Sequence, residues 1–402
     1  MEHHIPEAYR ESNVPYPENG RITIAVDGWT KRGNEELYGV TVSVAGKEYL
    51  HDVIPLKGTS ATAANLFELV DASIKNIKKK SIVGIVTDSA PNAQLFRRKF
   101  VENYKHVVDI PCIVHVLNIF CKKLLSSSGF KDVISDALRI NASFTKSNKL
   151  SERLRAVRVD EGNKSYALGT VATTRFATMY CCLQKLVQFE QEVRAVAQSP
   201  DIIWGRNGDE KLIGDDVFWM KTKEICTIIK PVYEVLRNFE SNKLKMSDSF
   251  VFFYYITKHL IRYSSTSPFF SQYFGEICEV CTIIMKKYIT KPIILLSTYL
   301  DLNYNVKFNK ATVEIIKNAY ITYVTNFIGN DERYLSLYIS QFDQFALDRN
   351  SLPKDVWKSN NENRRLVCLV ASMLLDVVPH SMSCERSFSI MGWINSPRRS
   401  IP

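Results

Sequence analysis

Five consecutive weakly polar or apolar residues, Ile82-Val83-Gly84-Ile85-Val86, constrain the fold of this chain more than any other feature. A strand with one wet face alternates polar and apolar side chains, whereas an unbroken apolar run requires cover on both faces. The run is therefore expected to be a central strand of a sheet with other elements packed above and below it. The run extends to Asp88, Ser89-Ala90-Pro91-Asn92 then turns the chain into a helix, and Pro91 suits its first turn.

The neighbouring segments fill in the sheet. Arg21 to Asp27 reads as a first strand, and Leu37 to Val44 alternates as a second. Ala45-Gly46-Lys47 makes a tight turn into a third strand, Glu48 to Ile54. A helix is expected over about 60–80, with Leu66, Leu69, Val70, Ile74 and Ile77 at three-and-four spacing and a basic tail. His106 to Ile110 is a fifth strand, and a further helix begins near Cys112. Three meandering strands followed by alternating helix and strand is the order of an RNase H-like mixed α/β sheet, in which strands one and four are neighbours. Asp27 and Asp88, each at a strand exit, are then brought together as potential ligands for a divalent metal. Taken singly, each aspartate equally suits a turn or a helix cap.

From about 130 to 350 strand signals fade and long amphipathic stretches take over, so a large all-helical insertion is expected to interrupt the sheet domain. Phe218 to Phe239 is one such stretch, with Pro231 inside it predicting a kink or two abutting helices. The expected division is an N-terminal arm over 1–20, the first part of the sheet core over 21–150, the helical insertion over 151–350, and a returning C-terminal part over 351–402.

Composition narrows the partners. The 402 residues carry a formal charge of +10, which favours a polyanion and nucleic acid first. Cations gather at Lys75 with Lys78 to Lys80, at Arg97 to Lys99, at Lys146, Lys149, Arg153, Arg155 and Arg158, and at Arg398 with Arg399. Each group by itself suits a solvated helix face, and together they permit a DNA groove. Phe250 to Ile256 and Leu366 to Leu375 are too short to span a bilayer, and no leader follows Met1, so no membrane partner is expected. Nine scattered cysteines predict free thiols in a reducing compartment.

A third acid for a metal site is expected late in the chain, and Glu385 is the best placed. A helix beginning near Ser381 or Ser383 sets Cys384, Phe388, Met391 and Ile394 on an apolar face and leaves Glu385, Ser389 and Gly392 on an adjoining one. An acid in a first turn is also simply favoured by the helix dipole. Cys112 and His115 have the spacing of half a zinc site, but the other close pair, Cys278 and Cys281, sits in an apolar helical stretch that predicts buried thiols.

Four segments in this order resemble the hAT superfamily of DNA transposases: Asp27-Gly28-Trp29-Thr30, Thr87-Asp88-Ser89-Ala90-Pro91-Asn92, Pro111-Cys112-Ile113-Val114-His115, and Ser383-Cys384-Glu385-Arg386-Ser387-Phe388-Ser389 with Gly392 and Ile394. Phe218-Trp219 through Pro231 to Arg237, and Tyr299-Leu300-Asp301, are similar to the helical insertion of that family. The resemblance implies that Asp27, Asp88 and Glu385 form an Asp-Asp-Glu triad holding two Mg²⁺ ions, with Mn²⁺ able to substitute, for cleavage and strand transfer at DNA phosphodiester bonds. It implies that His115 lies near the catalytic centre and contacts DNA, and that Arg175 and Phe176 contact DNA where the family has an Arg-Trp pair. It further implies action in the nucleus as a homodimer or higher oligomer, on a core without the family's N-terminal zinc finger. The alternative is a domesticated or decayed relative that binds DNA or dimerises without cutting; an RNase H-like nuclease acting on another substrate fits the helical insertion and signature helix less well.

Overall fold

The computed structural model describes residues 20–30, 36–56, 62–160, 168, 176–204, 208–239, 244–328, 332–354, 356 and 365–394. The expected N-terminal arm, Arg175 and the pair Arg398 and Arg399 lie outside them. Contacts divide the chain into two compact units, one of residues 1–116, 239–253 and 285–402, the other of 117–238 and 254–284.

The first unit holds a five-stranded mixed sheet of β1 (Ile22–Thr30), β2 (Glu36–Val44), β3 (Lys47–Pro55), β4 (Ile82–Thr87) and β5 (Val108–Pro111), in the spatial order β3-β2-β1-β4-β5. This is the mixed α/β arrangement with added helices that the strand order predicts. β1 runs antiparallel to β2 and parallel to β4, and β4 runs parallel to β5. All six residues of β4 are buried, as an apolar strand between two neighbours and two covered faces must be. The β2–β3 turn places Ala45 and Gly46 at φ of 50° and 73°, the paired positive angles of a tight hairpin that glycine adopts freely.

One face of the sheet is hydrocarbon. Ile22, Ile24 and Val26 of β1 and Val40, Val42 and Val44 of β2 are buried beneath α1 (Ala63–Ser73) and α2 (Pro91–Asn103), with Phe67, Phe96 and Phe100 filling the interface. Thr62 caps α1 by accepting from the Asn65 N–H at 3.2 Å, and Pro91 opens α2. The helix expected to reach Lys80 stops at Ser73 instead. Ile74 and Ile77 are still buried, but in the turn that reverses the chain into β4, so their spacing marked core rather than helix.

The opposite face, bearing Thr23, Ala25, Thr41 and Ser43, is covered by the segment following α15 (Arg365–Leu375) and by α16 (Met382–Ile394). In the same unit, Asp301 after Tyr299-Leu300 is 1% exposed and accepts from Ser247 Oγ at 2.7 Å and from the Asn303 N–H at 3.0 Å. That motif ties the end of one helix to the start of another. Arg349 donates to the Tyr299 carbonyl at 2.8 Å and lies over the Tyr299 ring.

Every regular element among the described residues of the second unit is a helix. The unit includes α4 (Ser128–Lys146), α5 (Asn148–Asp160), α6 (Phe176–Gln188), α9 (Asp216–Phe239) up to Asn238, and α10 (Met246–Thr266) from Tyr254 onward. Pro231 is accommodated inside the single helix α9 rather than splitting it. No described helix is long and apolar enough to cross a membrane.

Candidate active site

Parallel pairing of β1 with β4 sets Ala25 opposite Val86. Two residues further along the same direction lie Asp27 and Asp88, so the registry of two strands brings the acids to one end of the sheet. Asp27 is not at a strand exit, as expected, but inside β1, paired with Gly39 of β2. β1 continues to Thr30 because β2 still runs beside it after β4 has turned away. Asp27 Oδ1 accepts from the Gly28 N–H at 2.9 Å, and Asp88 Oδ1 from the Ala90 N–H at 3.1 Å. Asp88 thus keeps the turn-forming contact to the second residue on, whereas Asp27 bonds only the next N–H within its strand, and in each acid Oδ2 remains for other use.

Glu385 comes from α16, and the sheet's polar face determines where that helix sits. Cys384 is fully buried, with Sγ 3.3 Å from Thr41 Oγ1 and donating toward the carbonyls of Ala25 and Gly39, each at 3.6 Å. Ser383 Oγ is 2.8 Å from Thr41 Oγ1, and Phe388 stacks on Trp29 with ring centres 5.7 Å apart. Gly39 makes this approach possible, since a Cβ there would lie 2.8 Å from Phe388 Cζ. The helix is thus pinned one residue before and three residues after Glu385, whose own side chain is exposed. Met391, Ile394, Ser389 and Gly392, the rest of the two expected faces, lie outside the described side chains.

The three acids interact. Asp27 is pushed up to about 7, first by burial and then by the negative charges of Glu385 and Asp88. Tyr38, across the β1–β2 pair, is also raised by burial and by Glu36, Asp88 and Asp27. A cleft of about 360 Å³ opens at this end of the sheet, lined by Asp27, Trp29, Tyr38, Leu66, Asp88 and Asn92 among others. Glu385 is not part of its lining and acts on Asp27 from the α16 side.

Three oxygen-donor acids whose charges oppose one another fit a hard divalent cation in donor type and in charge. Among the described residues, however, no three acidic, histidine or cysteine side chains stand close enough to hold an ion as a ready-made group. The acids have converged to within electrostatic reach and not to chelating distance.

Arg97 carries a role that its place in a basic triplet concealed. It is 2% exposed, and its guanidinium donates to Asp109 at 2.5 Å, to the Asp88 carbonyl at 2.6 Å and to Thr87 Oγ1. It therefore holds the backbone that carries Asp88. The signal was available: Arg97 falls on the same helical face as Phe96 and Phe100, so periodicity pointed it inward. Of its neighbours, Arg98 is exposed and Lys99 lies over the Phe67 ring.

Cys112 is buried beneath the site, its thiol raised by burial, and it takes hydrogen bonds involving Ser381 and the His115 backbone. His115 is half-buried in the first turn of α3 (Ile113–Leu125), a helix anchored by the Ile113 N–H donating to the Pro379 carbonyl at 2.9 Å. Among the described residues no ion pair or hydrogen bond joins its ring to the three acids. Phe176 opens α6 and is 7% exposed, so its ring packs in the helical unit beside Met179 and Tyr180 instead of presenting a stacking surface. All nine cysteines are free thiols, with Cys281 buried and Cys278 partly so.

A second polar group adjoins the triad on the same sheet face. His380 is 1% exposed, and among the described residues neither ring nitrogen has a hydrogen-bond partner. Glu48 Oε1 is 3.6 Å from its Nδ1, beyond hydrogen-bond reach, while the other Glu48 oxygen takes the Arg386 guanidinium. Burial and Arg386 therefore hold His380 neutral, down to about 4.

Residues 5–140 match a protein family described as a domain of unknown function, DUF659. No curated protein matches the chain.

Proposed function

We propose that this protein is hAT transposase-like and cuts DNA phosphodiester bonds with Asp27, Asp88 and Glu385. The observation that carries the reading is the convergence of three acids from segments far apart in the chain, two of which act on the charge of the third. The DUF659 match supports it, because that domain is found in hAT-like transposase families. The net charge of +10 supports a polyanionic substrate, which is met in the nucleus. The partner of the chain is then DNA, with a second copy of the protein as the other expected component.

Asp27, Asp88 and Glu385 are the residues that would hold Mg²⁺ or Mn²⁺. Two such ions, when bound, would supply Lewis-acid stabilisation of phosphoryl oxygens and an acidified water or 3′-hydroxyl. The chain's own contribution is to prepare the ligands. Burial and two neighbouring anions keep Asp27 partly protonated near neutral pH, so it must lose a proton as it becomes a ligand. Arg97 steadies the Asp88 loop, and the Cys384 and Phe388 contacts keep Glu385 beside Asp27. Tyr38 and Trp29 wall the cleft and restrict solvent around Asp27.

The absence of a ready-made chelating group among the described residues favours the second reading, a relative that binds DNA or dimerises without cutting. Nicking of supercoiled plasmid by the purified chain separates the two. Cutting is expected only with Mg²⁺ or Mn²⁺, and Asp27→Asn, Asp88→Asn and Glu385→Gln should each lower the rate by about 100-fold or more. A folded parent without metal-dependent nicking, or an Asp88→Asn chain that nicks normally, overturns the cleavage reading.

A further inference from the structure

Outside the cleft, the most unusual surface of the molecule is on α10 within the helical unit. Tyr255, His259 and Tyr263 recur every four residues and form one column of rings, with Tyr255 51% and Tyr263 42% exposed. His259 stacks on Tyr263 at 4.3 Å and lies 6.5 Å from Tyr255. A second column runs beside it, Tyr254, Lys258 and Arg262, all exposed, with the Lys258 ammonium over the Tyr254 ring. Large aromatic side chains are normally kept from solvent, and here they are exposed in register with cations.

The adjoining helix α9 extends the pattern. His259 bonds to the Thr227 backbone, so the two helices are in contact at this point. On the same ridge of α9 as Thr227 lie Lys230, Glu234 and Arg237, all exposed. Glu234 is near His259 but is paired with Lys230 at 3.7 Å. The two helices thus present four cations and one acid around a central line of rings.

We infer that this aromatic column is a track for single-stranded nucleic acid. Its neighbouring ring centres are 6.5 Å and 4.3 Å apart, both wider than the spacing of about 3.4 Å between bases stacked on one strand of B-form DNA. A strand laid on it must therefore unstack, placing bases against Tyr255 and Tyr263 and phosphates against Lys258 and Arg262. Rings alternating with cations are the recognition chemistry of a single strand, since every base has a π-face and every linkage a negative charge. A duplex offers only the phosphates, its bases being already stacked. The inference rests on the nucleic-acid reading above for its ligand class, and it does not involve the three acids.

The test uses the full chain carrying Asp88→Asn, in EDTA, with a fluorescein-labelled oligo(dT) of about 20 nucleotides and a duplex of equal length as probes. Tyr255→Ala and Tyr263→Ala together should weaken oligo(dT) binding by about 100-fold while changing duplex binding less than threefold. Tyr255→Phe with Tyr263→Phe should retain affinity. Lys258→Gln with Arg262→Gln should flatten the slope of log affinity against log salt by about 1.4. Circular dichroism on each variant excludes loss of the helix. Unchanged oligo(dT) binding in the folded tyrosine variants overturns the track, as does an equal loss for the two probes. So does a loss of self-association with strand binding intact, which would make the face a protein contact. Plasmid nicking is scored separately on chains with native Asp88. Nicking without strand binding removes the track alone, and strand binding without nicking removes the cleavage reading alone.

Discussion

The two faces of the sheet use opposite chemistry. Beneath α1 and α2 the side chains are valine, isoleucine and phenylalanine, packed without a polar contact that depends on exact position. Beneath α16 they are Thr23, Ala25, Thr41 and Ser43, and the helix meets them through Ser383, Cys384 and the backbone. Hydrocarbon burial is strong and non-directional, at about 25 cal/mol per Å². Hydrogen bonds contribute less, about 1 kcal/mol each, but they specify geometry. The first face therefore supplies stability, and the second supplies the position of Glu385.

The largest expected effect tests the apolar face. Phe100 is fully buried against Phe67, Phe96 and Tyr104. Phe100→Ala should cost about 3–5 kcal/mol, read as a lowered urea midpoint, with no change in Mg²⁺ affinity at temperatures where the variant remains folded. Lost cation binding by a folded Phe100→Ala chain would show that the faces are not separable.

Gly39→Ala tests the polar face with a smaller cost to stability. The added Cβ meets the Phe388 ring at 2.8 Å, so α16 must shift and about 1–3 kcal/mol is lost. Calorimetric Mg²⁺ affinity should fall at least tenfold while the core under α1 and α2 stays intact. Pairing the change with Phe388→Leu, which removes the obstructing ring edge, should restore part of both.

The smallest effect has the opposite sign. Asp27 titrates near 7 in the folded protein against an ordinary value of 3.8, so the folded state binds more protons than the unfolded state between those limits. Stability therefore falls as pH rises from about 4 to 7, and the penalty is complete above that window. Asp27→Asn should raise stability by about 2 kcal/mol at pH 8 and by little at pH 4, read from urea midpoints. A destabilised Asp27→Asn chain at pH 8 would mean that the acid is a structural anchor and not a group held ready for a cation.

Much of the sheet was legible because strand patterning is local. The unbroken run in β4, the alternation in β2 and the Ala45-Gly46 turn each declare themselves over a few residues. The end of α1 was not legible, because Ile74 and Ile77 satisfy helical spacing while actually packing in a turn. Arg97 was obscured for a related reason. A charge is expected at the surface unless its partners, here Asp109 and the Thr87–Asp88 backbone, are known to wait inside.

By itself the sequence determined the succession of strands along the chain and the place of β4 inside the sheet, with both faces covered. These follow from hydrophobic period, a property of neighbouring residues, whereas the expectation that Asp27 lies beside Asp88 comes from the likeness to an RNase H-like strand order. Only the tertiary structure decided that α16 lies on the β1–β2 face, that Glu385 lowers the acidity of Asp27, and that Phe176 is buried while the rings of α10 are exposed. Each of those depends on which side chains meet across long separations in the chain, and no local pattern encodes the meeting.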